Sequence, residues 1–294
     1  MNLLHSRSAV LLIISALGVV STTAFADITG FNNGAGYTAT GNPSFSPSSP
    51  VFGANQVTLT VAPNNCVSVN CSKPFDSFGI VFNNTPQTVT SWSASFVYLA
   101  TDPRGFCFCD GTAFIIQNAP AGAAAQPASQ LIGGYFGYLG LPDSLAIELS
   151  PDSSGINPGG PGTGLYFSSS PQYSHPLLHT GSVALNSQHS ILVNVFYNGG
   201  DLTEMLTDIT TGNTFSIDYG KVNIPRIIGS STGYIGFSAA SGAGFATQTI
   251  SDFSFCDDVS CGAPPTPEPA FYGATATYVM GLAIAVRRRR ARRG

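Results

Sequence analysis

Short apolar runs separated by turn-forming residues constrain the fold of this chain more than any other feature. Between Asp27 and Ala263 these runs alternate apolar and polar side chains or are rich in β-branched residues, with Gly, Pro, Asn and Ser between them. Such runs predict strands, and the body shows no periodicity of an amphipathic helix. The predicted strands are 56–61, 78–82, 91–99, 106–117, 145–149, 182–185, 191–197, 204–208, 214–219, 232–239 and 247–255. This spacing predicts one all-β domain over residues 27–262, an antiparallel two-sheet sandwich with long loops at 118–130 and 150–164.

The charge distribution argues against a nucleic-acid partner. Of the 294 residues, 43% are hydrophobic and 9% are charged, which suits a large buried core. Fourteen acidic residues lie between Asp27 and Ala263, against four basic ones, Lys73, Arg104, Lys221 and Arg226. Phosphate backbones are bound by clustered Lys and Arg side chains, which this body lacks.

The first 26 residues have the pattern of a secretory signal peptide. Arg7 precedes an apolar segment at 9–20, and the small residues Ala24 and Ala26 fit cleavage before Asp27. A membrane-spanning helix is the alternative, and it is disfavoured because the apolar segment is short for a bilayer.

The last residues, 263–294, combine a Pro-rich hinge, a short apolar segment at 270–286 and an arginine cluster at 287–293. Arginine clusters stay on the cytoplasmic side of a membrane, so the body would face outward. This order resembles the PEP-CTERM sorting signal of exported bacterial proteins, with Pro267, Glu268 and Pro269 as the motif. The resemblance implies transient membrane anchoring, cleavage by an exosortase-type protease and delivery to the cell envelope, surface or extracellular matrix. A permanent single-span anchor is the alternative, although the apolar segment is short for one.

The six cysteines fall into three close pairs, which agrees with export to an oxidising compartment. We expect local disulfides between Cys66 and Cys71 and between Cys256 and Cys261. Cys107 and Cys109 would lie on one face of a predicted strand, where a direct bridge is strained. This third pair therefore either bonds elsewhere or stays as thiols.

Asp110 interrupts the most apolar part of the chain. Residues 106–109 (FCFC) precede it, and another apolar run follows Gly111. A carboxylate in such surroundings needs hydrogen-bonding partners, which come either from the fold or from a ligand. An Asp that caps a turn before Gly is the structural interpretation, and a ligand-binding carboxylate is the functional one.

Six segments carry a family resemblance because of their order. They are SWSASFVY at 91–98, DGTAF at 110–114, GYLGL at 137–141, LAIEL at 145–149, YIGFSAASG at 234–242 and ISDFSF at 250–255. In this order they resemble the legume-type (L-type) lectin domain. The resemblance implies a jelly-roll, concanavalin A-like sandwich that binds glycan or exopolysaccharide without altering it. It also allows a homodimer.

The resemblance implies a sugar site centred on Asp110. A fixed carboxylate, backbone N–H donors and an apolar surface together suit the vicinal hydroxyls and ring face of a sugar. Asp110 would accept hydrogen bonds from hydroxyls and would follow a cis peptide bond from Cys109. The other implied contacts are Gly137, Asn157 and a specificity loop of Ser241, Gly242 and Ala243.

The metal site is where this sequence departs from the family. The family pattern is E-x-D followed by Asn, Asp and His, which hold calcium and a transition metal such as manganese. Glu148 is present, but Ser150 stands at the second position and Gly164 or its neighbour falls where the His is expected. The candidate ligands for one hard cation are Glu148, Asp152 and Asn157, and the incomplete pattern also allows no metal.

Two further classes of function stay open. A β-glucanase-like glycoside hydrolase would need paired carboxylates about 5 Å apart, usually as E-x-D-x-x-E on one strand. Pro151 interrupts that strand and the second and third acids are missing, so we expect no enzyme. A structural surface or matrix protein with a lectin scaffold that has lost sugar binding is the other alternative. We expect His175, His179 and His189 to be ordinary loop or strand-edge residues, and Trp92 to be core.

Overall fold

The computed structural model describes residues 27–41, 50–62, 77–102, 108–128, 132–152, 161–167, 177–242 and 244–257. Within these ranges no helix is long and apolar enough to cross a membrane. The signal peptide at 1–26 and the sorting motif Pro267–Pro269 lie outside the described residues. The targeting and domain-boundary interpretations therefore stay predictions.

Two antiparallel sheets of eight strands each form the described part of the chain. The first sheet contains, in spatial order, β14 (Thr214–Lys221), β13 (Asp201–Asp208), β12 (Ile191–Tyr197), β7 (Trp92–Thr101), β16 (Thr247–Cys256), β4 (Gln56–Thr60) and β3 (Val51–Phe52), and β1 (Ile28–Thr29) also pairs with β16. The second contains β11 (Leu178–His179), β10 (Gly162–Phe167), β9 (Ser144–Ser150), β8 (Gly111–Gln117), β15 (Thr232–Ser241), β5 (Ser77–Asn83) and β2 (Tyr37–Gly41), and β6 (Gln87–Thr88) pairs with β15. The two-sheet all-β sandwich predicted from the strand spacing is confirmed.

The main core lies between the sheets because each strand turns alternate side chains inward. On β13, for example, every second residue is buried. Aromatic rings from both sheets fill the centre. Phe237 lies edge-on to Phe96 and to Phe253, with 4.9 Å between ring centroids in each pair. Trp92 is buried and stacks on Phe255, as expected of a core residue.

A smaller core covers the outer face of the second sheet, and it positions the loop at residues 132–141. Phe136, Tyr138 and Leu141 from this loop pack against Ala113 and Ile115 of β8 and against Ala146 of β9. A short 3₁₀ helix, Gly133–Tyr135, opens the loop. The sandwich thus carries a packed loop on its outer face, beside the end of β8 where Asp110 lies.

Nine predicted strands agree with the structure in position, and two predictions need correction. Residues 182–185 form a turn in which Val183 and Leu185 are buried, so their apolar character reflects core contact without strand pairing. In the predicted strand 106–117, Phe108, Cys109 and Asp110 precede β8, and pairing with β9 begins at Thr112. The sequence missed β2 and β10, the latter beginning at the end of the predicted loop 150–164, and also the two-residue strands β1, β3, β6 and β11.

One short helix, α1 (Ile224–Ile228), also escaped prediction. Asn223 caps it by accepting the N–H of Arg226 at 3.0 Å, and Gly229 ends it in the left-handed conformation. Five residues are too few for the apolar periodicity that reveals a helix in a sequence.

Candidate functional site

Asp110 lies at the end of the second sheet, where its backbone is held on both sides. Its N–H donates to the Ala240 carbonyl of β15 at 3.1 Å, and its carbonyl accepts from Ser150 Oγ at 3.0 Å. The peptide bond between Cys109 and Asp110 is cis, which confirms the prediction from the resemblance. Strands on both sides of β8 therefore orient the Asp110 side chain.

The Asp110 carboxylate is buried, with 6% of the residue exposed, yet one of its oxygens is unsatisfied. The Gly242 N–H donates to the carboxylate, whereas Oδ2 has no hydrogen-bond partner among the described residues. Burial, and next the negative charge of Asp152, raise the pKa of Asp110 to about 7, although the Gly242 hydrogen bond lowers it. A buried carboxylate oxygen without a hydrogen-bond partner destabilises the fold unless a ligand, a water molecule or a residue outside the described ranges donates to it.

Two glycine backbones flank that free oxygen. A Cβ placed on Gly242 would lie 3.0 Å from Gly133 Cα and 3.5 Å from Asp110 Oδ2, and one on Gly133 would lie 3.9 Å from the same oxygen. Gly133 also has a φ of +65°. The absence of side chains at Gly133 and Gly242 thus lets both backbones pack closely beside Oδ2.

Gly133, which the sequence did not single out, lies beside Asp110, and the sugar-binding role of Gly137 stays a prediction. A Cβ on Gly137 would instead meet the Ala239 carbonyl oxygen at 3.1 Å and Ser238 Cβ at 3.4 Å, both on β15. The Gly133-Gly134 pair a few residues upstream was the available signal. Counting along the sequence could not decide which glycine of this loop reaches the carboxylate.

The remaining predicted sugar-binding residues divide into two groups. Ser241 is buried at the end of β15, and its Oγ lies 2.6 Å from Ser77 Oγ of β5, so its side chain supports the sheet. Gly242 contacts Asp110, as described above. Asn157 and Ala243 lie outside the described residues, and their roles stay predictions.

The loop at 132–141 is packed on the second sheet and hydrogen-bonded to it close to Asp110. A Cβ on Gly111 would lie 2.0 Å from Phe136 Cε1 and 2.6 Å from the Leu149 carbonyl oxygen, so only glycine admits this ring. Ser238 Oγ donates to the Phe136 carbonyl at 2.6 Å. The glycine after Asp110 therefore serves packing of the loop that carries Gly133.

Asp152 is fully buried next to Asp110. Its Oδ1 lies 3.5 Å from Cys109 Sγ, and its N–H donates to Ser150 Oγ at 3.3 Å. Within the described ranges, Cys109, Asp110 and Asp152 are the one group of three potential metal ligands whose atoms lie within 4.8 Å of one another. Cys109 is disulfide-bonded and so offers no thiolate, which leaves two carboxylates for a hard cation.

Cys256 is disulfide-bonded as well. The predicted pairings involve Cys66, Cys71 and Cys261, which lie outside the described residues, as does Cys107. These pairings stay predictions.

Glu148 lies on the outer face of β9, beneath the 132–141 loop. Its Oε1 accepts a 2.6 Å hydrogen bond from the Tyr138 hydroxyl, and its Oε2 has no partner in the described part of the chain. Burial raises the pKa of Glu148 to about 8, against the lowering effect of the Tyr138 bond.

The residues around Glu148 do not fit the transition-metal site that the family resemblance implies. Gly164, which with its neighbour falls where the His is expected, lies directly opposite Glu148 on β10, and a Cβ there would lie 2.8 Å from the Tyr166 ring. Ser150 Oγ, at the expected Asp position, is committed to the Asp110 carbonyl. Imidazole and carboxylate ligands are thus replaced by tyrosines and a serine.

A second buried acid, Glu204, was missed in the sequence. It projects from β13 between the sheets, where its Oε2 lies 2.6 Å from the Tyr219 hydroxyl and 2.8 Å from Thr163 Oγ1. Its Oε1 has no partner among the described residues, and burial raises its pKa to about 7. The alternation of β13, with Leu202 and Leu206 inward, was the signal that could have revealed it.

His189 lies before β12 and contacts Asp208 through a 2.8 Å separation of Nδ1 and Oδ2. His179 is exposed at the β11 edge. Both positions agree with the structural roles expected of them, and His175 lies outside the described residues.

No protein-family model matches the chain, and no curated protein matches it. Solved structures of legume lectins do match. Lectin I from Ulex europaeus, in complex with the methyl glycoside of α-L-fucose, is 19% identical with a TM-score of 0.57, and the match covers 80% of this chain and 99% of that one. The metal-free form of lectin I-B4 from Griffonia simplicifolia is 17% identical with a TM-score of 0.59, covering 79% and 98%.

Peanut lectin, solved with a nine-residue peptide, is 22% identical with a TM-score of 0.54, and the match covers 74% of this chain and 96% of that one. Together these likenesses show that the described sandwich has the legume lectin, concanavalin A-like fold. At identities this low they show the fold alone, so the ligand must be argued from the site.

Proposed function

We propose that this chain is an exported bacterial protein that binds carbohydrate, as glycan or exopolysaccharide, and does not alter it. The observation that carries the proposal is Asp110 Oδ2, a buried oxygen without a hydrogen-bond partner among the described residues, which lies beside the Gly133 and Gly242 backbones on a legume lectin fold. A fixed carboxylate with an unsatisfied oxygen accepts hydrogen bonds from sugar hydroxyls. The sugar complex of the Ulex lectin supports this class of ligand.

Binding without chemistry is favoured over glycoside hydrolysis by the burial of the second acid. Asp110 and Asp152 are close enough to suggest the carboxyl pair of a retaining glycosidase, which requires a separation of about 5 Å. Asp152, however, is fully buried against the disulfide-bonded Cys109 and cannot reach an anomeric carbon. A single hard cation held by Glu148, Asp152 and Asn157 stays a prediction, as does a homodimer.

Export and sorting form the second part of the proposal. The signal peptide pattern at 1–26 and the motif Pro267–Pro269 before an apolar segment and arginines support release to the envelope or matrix by an exosortase-type protease. The oxidised state of Cys109 and Cys256 is compatible with such a compartment. Mass spectrometry of the protein from its host should find Asp27 at the N-terminus and a C-terminus near Pro269.

Glycan-array binding of the full chain tests the site. We expect wild-type protein to bind a limited set of glycans, and the Asp110→Asn and Asp110→Ala variants to lose that binding. The matched control is Asp143→Asn, which removes an exposed acid from the turn before β9. Undiminished binding by both Asp110 variants would refute the site.

Two other outcomes favour the alternatives. If the folded wild-type protein binds no glycan, the result favours the alternative of a structural matrix protein that has lost sugar binding. The altered residues around Glu148 are the observation that supports this alternative. Release of reducing sugar from β-glucan would instead indicate a hydrolase.

A further inference from the structure

The space where a metal-binding imidazole would lie is filled by a tyrosine ring. Gly164 and Glu148 are directly paired on neighbouring strands, so side chains at the two positions would lie next to each other. A Cβ at position 164 would meet Tyr166 Cε2 at 2.8 Å and Leu177 Cδ2 at 3.2 Å. Any side chain at position 164 would therefore require Tyr166 to move.

The Glu148 carboxyl group is engaged by a hydroxyl from the loop above it. Tyr138 is buried and donates a 2.6 Å hydrogen bond to Glu148 Oε1. Tyr166 is buried as well, and burial, followed by the negative charge of the nearby Glu148, raises the pKa of its phenol. Glu148 thus faces two phenols, one from the loop and one from β10.

We propose that Tyr138, Tyr166 and Glu148 form a tyrosine–carboxyl cluster that replaces a transition-metal ion in this protein. The cluster ties the 132–141 loop to β9 and β10 and so holds Gly133 beside Asp110 without a metal. Tyr138 is accordingly a positioning residue for the Asp110 site.

Ser150 performs a similar task on the other side of Asp110. Its hydroxyl donates to the Asp110 carbonyl and accepts from the Asp152 N–H, so it links β9 to the residues around the cis peptide. An aspartate at this position would bring a third carboxylate close to Asp110 and Asp152, at a cost unless a cation compensated. The serine hydroxyl, which can both donate and accept, links the Asp110 carbonyl to the Asp152 N–H without adding a charge.

The inference rests on the proposed function only in treating Asp110 as the ligand-binding residue. The metal content and the stability of the cluster are independent of any sugar. The test therefore combines one readout without ligand and one with a glycan, so that failure of either proposal can be recognised separately.

The first readout is metal content and melting temperature of the purified full chain. We expect less than stoichiometric manganese, zinc or other transition metal by mass spectrometry, and no change in Tm when Mn²⁺ is added after dialysis against EDTA. Tyr138→Phe should lower the Tm by about 4 °C through loss of one buried hydrogen bond. The matched control, Tyr234→Phe, removes a hydroxyl at the rim of the same small core and should change the Tm much less.

The Glu148→Gln variant distinguishes a hydrogen-bonding role of Glu148 from a role as a metal ligand. The amide oxygen of Gln can still accept the Tyr138 hydrogen bond, so we expect this variant to keep the Tm of wild type, whereas loss of a metal ligand would lower it. Tyr138→Phe should weaken glycan binding by about tenfold at a temperature where it is fully folded. Tyr234→Phe should not.

Three results would overturn the inference: a stoichiometric transition metal that is lost in Glu148→Gln, a Tm that falls on chelation and recovers with Mn²⁺, or equal effects of the two Tyr→Phe variants. If wild-type protein binds no glycan while the metal and Tm results hold, the proposed function fails and the cluster stands.

Discussion

Replacing Glu204 by Gln should remove a pH-dependent loss of stability. The Thr163 hydroxyl has a single hydrogen but lies 2.8 Å from Glu204 Oε2 and 2.9 Å from the Glu148 carbonyl oxygen. A protonated Glu204 satisfies both contacts, because it can donate to Thr163 while Thr163 donates to the carbonyl. The hydrogen-bond geometry between the sheets thus favours the neutral acid.

The sign and size of the effect follow from the pKa of Glu204. Burial raises it from 4.5 to about 7, so the folded state keeps a proton that the unfolded chain releases. The stabilising contribution is complete below pH 4.5 and is lost as the pH rises to about 7. At about 1.4 kcal/mol per pKa unit, the loss is about 3 kcal/mol.

Urea unfolding at a series of pH values, followed by fluorescence, would measure this contribution. Trp92 is the only tryptophan and is buried between the sheets, so its emission reports loss of the core. Between pH 4.5 and pH 8 the free energy of unfolding of wild type should fall about 3 kcal/mol further than that of Glu204→Gln. Thr203→Ala, next to Glu204 on β13, should follow the wild-type curve.

Tyr219→Phe provides an independent check on the same reasoning. The Tyr219 hydroxyl donates to Glu204 and lowers its pKa. Its removal should therefore extend the loss of stability to higher pH. If the wild-type and Glu204→Gln curves are parallel, Glu204 is already ionised in the folded protein and the argument is wrong.

Two further predictions concern the site loop and the acid limit of stability. Gly111→Ala should lower the free energy of unfolding by roughly 1–3 kcal/mol or more, as measured by urea unfolding, because its Cβ would overlap the Phe136 ring. Gly200→Ala is the control, since a Cβ there makes only ordinary contacts. His189→Gln should move acid unfolding to higher pH in a fluorescence titration. The hydrogen bond from His189 lowers the pKa of Asp208 to about 2. In wild type the stabilising contribution of ionised Asp208 is therefore complete above the ordinary Asp pKa and is lost as the pH falls to about 2. A His189→Gln midpoint equal to that of wild type would contradict this role.

The fold could be predicted from the chain because strand signals are local. Residues 191–197 form a short apolar run rich in β-branched side chains, and they form β12 with those bounds. Short strands such as β1 and β6 contain two residues each, so they carry no periodicity to detect. Residues 182–185 show the opposite error, since core contact alone produced a strand-like pattern there.

The candidate site could be located but not assembled from the sequence. Asp110 was identified because a carboxylate between apolar runs needs partners, and the structure supplies Gly242 as one. The proximity of Gly133 could not be predicted because a glycine-rich loop offers several glycines at similar spacing. It depends on how the 132–141 loop packs on the sheet, where Phe136 lies against Gly111.

By itself, the sequence determined that the body is an all-β sandwich and that it is poor in basic charge, and it singled out Asp110 as a candidate ligand-binding residue. Tertiary structure decided which residues surround that site and which acids are buried together. Tyr166 fills the space beside Gly164 because β9 and β10 pair in one register, and Glu204 meets Thr163 because the two sheets face each other. Alternation along a strand is a local property of the backbone, whereas register and sheet packing join residues far apart in the chain.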